Sequence, residues 1–272
     1  MRVSRLLLYP MAAVAAAASL AFFPGASRAA DKPKAEAHGA PAAGHAPHWE
    51  YKGEAGAENW GKLAEEFATC RTGAKQSPIN IISSATATQP RLDFRYQPSS
   101  LRIVNNGHTI QVNYDPGSTL VIDSQVYQLL QFHFHTPSEH MLQGKAYDME
   151  AHFVHRNAEG KLAVVGVMLK AGADNGFVNT LWANMPKAAG PEKVVDGVTI
   201  DAQVLLPERR TYFLYSGSLT TPPCSEEVRW QVFQDPIEVS AGQVAAFKQL
   251  FPMNARPVQP LKSRAVTAVS AR

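Results

Sequence analysis

The sequence predicts a mainly β (α+β) fold built as a single domain, and three observations carry the prediction. Short stretches alternate apolar and polar side chains with a period of two, as strands buried on one face require. Gly, Pro, Asn and Asp punctuate most of the gaps between them, and helical periodicity is scarce. The chain has 272 residues, 45% hydrophobic and 18% charged, which suits one large core and not a disordered chain.

In chain order, residues 1–29 come first as an export signal. Arg2 and Arg5 give a basic start, 6–23 is nearly all apolar, and Ser27-Arg28-Ala29 offers small residues where a signal peptidase reads. A retained anchor is the alternative, weakened by Pro10, by the many alanines and by a run at the lower edge of a bilayer span. Residues 30–48 hold little to bury and read as a flexible linker. His38, His45 and His48 there could hold a loose metal, although a solvated low-complexity tail explains them more simply. The folded domain is assigned to 49–265. Strands are expected at 101–104, 109–114, 119–122, 127–135, 148–155, 162–169, 212–216 and 228–233. Ser240 can cap a helix over 241–250, 177–184 suits a second, and 57–67 is marginal. Proline density makes 252–261 irregular, and 266–272 is a C-terminal tail.

The formal charge of +3 comes from the leader. Arg2, Arg5 and Arg28 precede the first acidic residue, Asp31, so the rest of the chain carries 23 basic and 23 acidic side chains. No surplus of Lys and Arg remains to bind nucleic acid. Processing would also leave no membrane segment, because no other long apolar run exists. The export signal places the protein in the periplasm or the medium. Two cysteines in that oxidising setting, Cys70 and Cys224, suggest one disulfide, with two free buried thiols as the alternative. A bridge closing so long a loop would contribute at most about 4–5 kcal/mol in the chain-entropy treatment.

Chemistry concentrates between Gln131 and His155. In Gln131-Phe132-His133-Phe134-His135, period two puts Gln131, His133 and His135 on one strand face and both phenylalanines on the other. Two imidazoles at i and i+2 can reach one ion. A third comes from Glu150-Ala151-His152-Phe153-Val154-His155, where Glu150, His152 and Val154 share a face. Three neutral histidines with an open fourth position make a catalytic rather than structural zinc site. Gln131 and Glu150 lie on the correct faces to hold the other ring nitrogens. A lone strand histidine is more often a hydrogen-bonded core or surface residue, so clustering, not any one histidine, carries the reading. His140 and His155 fall off the ligand face and read as structural.

These stretches, with Ser138-Glu139-His140, resemble the α-class carbonic anhydrases of the exported bacterial type. So do Gln76-Ser77-Pro78-Ile79-Asn80-Ile81, Asn105-Asn106-Gly107-His108, Gly217-Ser218-Leu219-Thr220-Thr221-Pro222-Pro223-Cys224 and Asn254-x-Arg256-Pro257-x-Gln259-Pro260-Leu261. The ordered motifs cover roughly 49–264.

The resemblance implies a large twisted, mostly antiparallel central sheet with short peripheral helices and zinc at the base of a conical cleft. It implies reversible hydration of carbon dioxide to bicarbonate and a proton by attack of zinc-bound hydroxide. Zinc lowers the pKa of its water from 15.7 to about 7, a value established on carbonic anhydrases themselves. His133, His135 and His152 match the metal ligands. Thr220 matches the threonine that accepts from the nucleophile while its own proton is directed at Glu139; a hydroxyl has one proton, so fixing it leaves the oxygen an acceptor. Val154, Val164, Leu219, Val228 and Trp230 match the apolar wall beside carbon dioxide, and Thr221 its polar side. Each of these five could equally be an ordinary core residue. His108 matches the proton shuttle, a task suited to the one side chain that ordinarily titrates near neutrality. Tyr51, Asn106 and Gln111 match positions that order the intervening water.

Cys70 and Cys224 match the disulfide of exported members, and Ser77-Pro78 and Pro222-Pro223 match cis bonds. Minor esterase activity, inhibition by sulfonamides and inorganic anions, and pairing into a homodimer are also implied. Gln111 departs from a common asparagine, Ala255 from a common tryptophan, and Thr136-Pro137-Ser138 from the longer insertion of animal members. Two other classes compete: a catalytically dead binding relative, which would typically lack a zinc histidine, and a zinc carrier using the histidine tail.

Overall fold

Alternation of side chains, where long enough, has become strand. The computed structural model describes residues 47–89 and 92–271, all within the unit Ala46–Arg272. The export signal, nearly all of the linker, and His38 and His45 lie outside the described residues. In chain order the strands are β1 (Asn80–Ile81), β2 (Ala85–Gln89), β3 (Asp93–Arg95), β4 (Ser99–Asn105), β5 (Ile110–Asn113), β6 (Thr119–Ile122), β7 (Gln125–His135) and β8 (Met141–Leu142). They continue as β9 (Met149–Arg156), β10 (Leu162–Ala171), β11 (Lys193–Ile200), β12 (Tyr212–Ser218), β13 (Glu226–Phe233), β14 (Ile237–Val239) and β15 (Thr267–Ala271).

Thirteen of them form one sheet in the order β11-β4-β5-β7-β9-β10-β13-β12-β15-β2, with β14 on β10 and β3 reaching β7 through β6. Pairing is antiparallel except β10 with β13 and β14, and β15 with β2. β1 and β8 pair separately, in parallel. Every expected strand is present.

Helices are few and short: α1 (Trp60–Leu63), α2 (Thr69–Thr72), α3 (Gly176–Asn184) and α4 (Ala241–Leu250). Ser240 caps α4 through a reciprocal capping box with Gln243, which satisfies two end donors at once. Asn175 caps α3 by accepting from Phe177 N and Val178 N. The marginal stretch 57–67 resolves into α1 and a single 3-10 turn at Glu65–Phe67.

The two sheet faces bury different things. Phe132, Phe134 and Phe153 enter the main core with Ile103, Val112 and Val165, and α3 and α4 cover it through Trp182 and Phe247. On the opposite face, Val164, Val228, Trp230 and Val232 gather a second cluster with Ile79 and Ile81. A third joins Trp60 and Phe67 to the Cys70–Cys224 disulfide, so the bridge expected from the sequence is formed. Ser77-Pro78 and Pro222-Pro223 are cis, as the resemblance implies, and so is Thr136-Pro137.

One expectation is corrected. Residues 266–271 are not a tail: β15 lies between β12 and β2, and Val266 and Val269 are fully buried. Apolar side chains and a free edge on β12 draw it into the sheet.

Candidate active site

β7 and β9 set the site by register. His133 pairs with His152, Gln131 with Val154 and His135 with Glu150. The ladder shifts between Leu129 and Gln131. An extra residue at Leu130 reverses the alternation, so Leu129 and Phe132 both reach the main core. Beyond that bulge the odd positions turn to the other face, which brings His133 and His135 beside His152 from β9.

Each of these histidines places one ring nitrogen close to a polar partner. His133 Nδ1 lies 2.8 Å from Gln131 Oε1, and His135 Nδ1 lies 2.7 Å from the Asn254 carbonyl oxygen. His152 Nε2 lies 2.9 Å from Glu150 Oε1. The remaining nitrogens are His133 Nε2, His135 Nε2 and His152 Nδ1. One ring nitrogen from each of the three histidines falls within 4.8 Å of the others, and His135 Nε2 is buried without a hydrogen-bond partner. An unsatisfied buried donor set of this kind fits a zinc ion.

Electrostatics favour the same end. Burial, followed by the neighbouring imidazoles, holds His133 well below its usual pKa, and burial lowers His135. Both are therefore kept neutral, as ligands must be. Burial also acts to lower His152, but the charge and hydrogen bond of Glu150 outweigh it. Glu150 is fully buried, yet His140 and His152 hold it well below the carboxylate range.

Glu139 points at the cluster. Its Oε1 accepts from Arg256 N at 2.8 Å, whereas Oε2 has no hydrogen-bond partner and lies 3.6 Å from His135 Nε2 and 3.8 Å from His152 Nδ1. Thr220 is buried on the loop after β12. No hydrogen bond joins its hydroxyl to Glu139 among the described residues. That loop is nonetheless tied down on several sides. Cys224 N donates to Thr221 O, Gln76 Nε2 donates to Cys224 O, and Ser77 and Ser218 exchange hydroxyl-to-backbone bonds.

Val164, Val228 and Trp230 are buried in the cluster on this face, with Val154 and Leu219 half-buried against it. The Trp230 ring meets His152 edge-on at 4.9 Å. Thr221 is half-exposed.

The expected proton path lies toward the rim. His108 follows Gly107, whose φ of 89° demands glycine, and is half-buried. Its ring stacks on Trp49 at 3.7 Å, with Tyr51 edge-on at 6.5 Å. Burial lowers its pKa while Glu50 acts to raise it. Asn106 Oδ1 accepts from the backbone of His108 and Thr109, and its amide reaches Gln111 Oε1 at 3.5 Å. Tyr51 stays a neutral phenol, its pKa raised first by burial and then by Glu139.

His140 and His155 sit apart in supporting roles. His140 bridges Glu150 and the Tyr215 hydroxyl, and His155 lies 2.6 Å from the Tyr96 hydroxyl on the main-core face. Sequence reasoning assigned no role to Asn254, Arg256 or Trp49. The Asn254 amide bonds His108 O, Phe134 O and Thr136 N, so this residue braces both the rim and the floor.

Against known proteins, residues 55–270 match the family model of eukaryotic-type carbonic anhydrases. The chain belongs to the α-class carbonic anhydrase family. A carbonic anhydrase of Nostoc sp. is 49% identical over 231 residues, 83% of this chain and 88% of that protein. One from Neisseria gonorrhoeae is 43% identical over 232 residues, 85% and 91% of the two. Among solved structures, the α-carbonic anhydrase of Thermovibrio ammonificans in complex with the inhibitor sulfanilamide superimposes with a TM-score of 0.79 at 44% identity. It covers 82% of this chain and all of its own. Carbonic anhydrases of bacteria thus share both the sequence and the fold of this enzyme.

Proposed function

We propose that the enzyme hydrates carbon dioxide reversibly with one zinc held by His133, His135 and His152. The observation that carries this reading is the convergence of three imidazoles, two of them buried and each with one nitrogen close to a polar partner, beside the unpartnered Glu139 Oε2. Zinc bound there supplies the Lewis acidity that makes water a nucleophile near neutral pH.

The chain's own side chains do the rest. Gln131, Glu150 and the Asn254 carbonyl fix the ring orientations and tautomers of the ligands. Glu139 Oε2 accepts a hydrogen bond from the Thr220 hydroxyl, so the threonine oxygen can only accept from the attacking group and orients it. Val154, Val164, Leu219, Val228 and Trp230 give carbon dioxide a dry apolar wall, and Thr221 faces the bicarbonate oxygens. His108 then carries the surplus proton from cleft to bulk solvent, through water ordered by Tyr51, Asn106 and Gln111. Its half-buried position by the rim and its lowered pKa suit it to take a proton and release it readily.

The same open ligand position would admit sulfonamides and small anions and permit slow esterase turnover. The disulfide supports export to an oxidising compartment. The test is metal analysis beside stopped-flow hydration of His152→Ala and His108→Ala. The first is expected to lose zinc and activity together. The second should keep zinc and turn over slowly, with recovery in imidazole; a His108→Ala enzyme as fast as native in weak buffer would remove the shuttle.

A further inference from the structure

Gln111, on β5, pairs across the sheet with His133, and Asn113 pairs with Gln131, so both face the metal ligands' side. From Gln111 a line of side-chain hydrogen bonds leads away from the cleft. Gln111 Nε2 donates to Asn113 Oδ1 at 2.7 Å, and Asn113 Nδ2 donates to Glu192 Oε2 at 2.5 Å. Glu192 Oε1 accepts from Arg102 Nε at 2.9 Å, and Arg102 also pairs with Asp115 at 3.3 Å. Glu192 precedes β11, far along the chain, and its side chain is only 25% exposed.

An ionised carboxylate has only acceptors, so Asn113 must present its NH2 to Glu192 and its oxygen to Gln111. Gln111 must in turn give its NH2 to Asn113, which leaves Oε1 to accept from the Asn106 side. Asn106 is fixed from the other side: its oxygen is taken by two backbone N–H groups, so its NH2 points to Gln111 Oε1. Both amides in the expected proton path therefore have a set polarity.

We propose that Glu192 and Asn113 are positioning residues for proton transfer: together they lock the Gln111 amide with its oxygen toward the cleft, so that this oxygen orders the water between the metal and His108. The proposal rests on the assignment of His108 as the shuttle. Neither residue touches substrate.

The experiment is stopped-flow hydration across a buffer series for Glu192→Gln, Asn113→Leu and His108→Ala, with zinc content and melting temperature measured on each. Glu192→Gln keeps the shape of the side chain, but Arg102, which only donates, holds its oxygen and turns its NH2 toward Asn113, so the lock is reversed. The expected result is a kcat lowered roughly three- to tenfold in weak buffer for the first two variants. In that result kcat/KM holds, zinc is full, and excess imidazole restores kcat. Native kcat in both, with His108→Ala slowed, would overturn the proposal and leave the shuttle standing. Loss of kcat and kcat/KM together without imidazole rescue would also overturn it, by showing a merely structural role. An unimpaired His108→Ala enzyme would overturn the shuttle and this proposal with it.

Discussion

The floor and the rim of the cleft are built on different principles. At the floor, His135 and His152 are 1% exposed and sit on the two central strands β7 and β9, with ring orientations set by Glu150 and the Asn254 carbonyl. At the rim, His108 is half-buried on a turn, stacked on Trp49 from the start of the described chain, and bonded through its backbone to Asn106. The floor needs rigidity, because a metal tolerates little ligand misplacement. In the proposed reaction the rim needs a group that can accept a proton and present it to solvent. The difference teaches that binding and bond-making should separate from proton export when either region is altered.

The largest expected effect is at the floor. His152→Ala removes one of the three proposed ligands, and hydration should fall with the zinc content by roughly three orders of magnitude or more. Retained activity without metal would dissolve the distinction between the regions. Glu150→Gln leaves the three histidines in place but weakens the orientation of His152. Zinc affinity is expected to drop about 10–100-fold, read by competition with a chelator. At the rim, His108→Ala should lower kcat about tenfold or more in weak buffer with kcat/KM preserved. A parallel fall in both constants would show that rim and floor act as one unit.

A smaller effect sharpens the contrast with the opposite sheet face. Burial lowers His155 to about 4, so it is held neutral in the folded protein. The unfolded chain protonates this group first, at its ordinary pKa near 6.5. Its stabilising contribution is therefore complete above about pH 6.5 and is lost as pH falls toward 4, a change of up to about 3 kcal/mol. Melting curves between pH 7 and 4 should show this loss, and His155→Gln should flatten the slope. An unchanged slope would assign acid sensitivity to the site face instead.

Much of the floor was legible in the sequence because period-two alternation is itself a code for which side chains meet. The spacing Gln131-x-His133-x-His135 and Glu150-x-His152 needs only a strand to become a site. The bulge at Leu130 carries no sequence signal, and the reading survives because it falls before Gln131.

Elsewhere the code is too short or too weak. β1, β3, β8 and β14 have two or three residues each, less than a readable period. β11 exposes Lys193, Val194, Asp196 and Gly197 and is interrupted between Val195 and Thr199, so its burial never alternates cleanly. β2 and β15 form only as partners of each other and of β12. Asn254 escaped for another reason. What it gives His135 is a backbone carbonyl, which any residue possesses, so nothing in the side-chain pattern marks the position. Glu192 and Asn113 reach Gln111 only through contacts made by the folded sheet.

The most direct measurement is stopped-flow carbon dioxide hydration of the purified protein, with zinc determined on the same sample as metal is removed and restored. The rate should rise in proportion to zinc and level off at one ion per chain. One full zinc per chain with no hydration would contradict the account, because the three imidazoles would then serve binding alone.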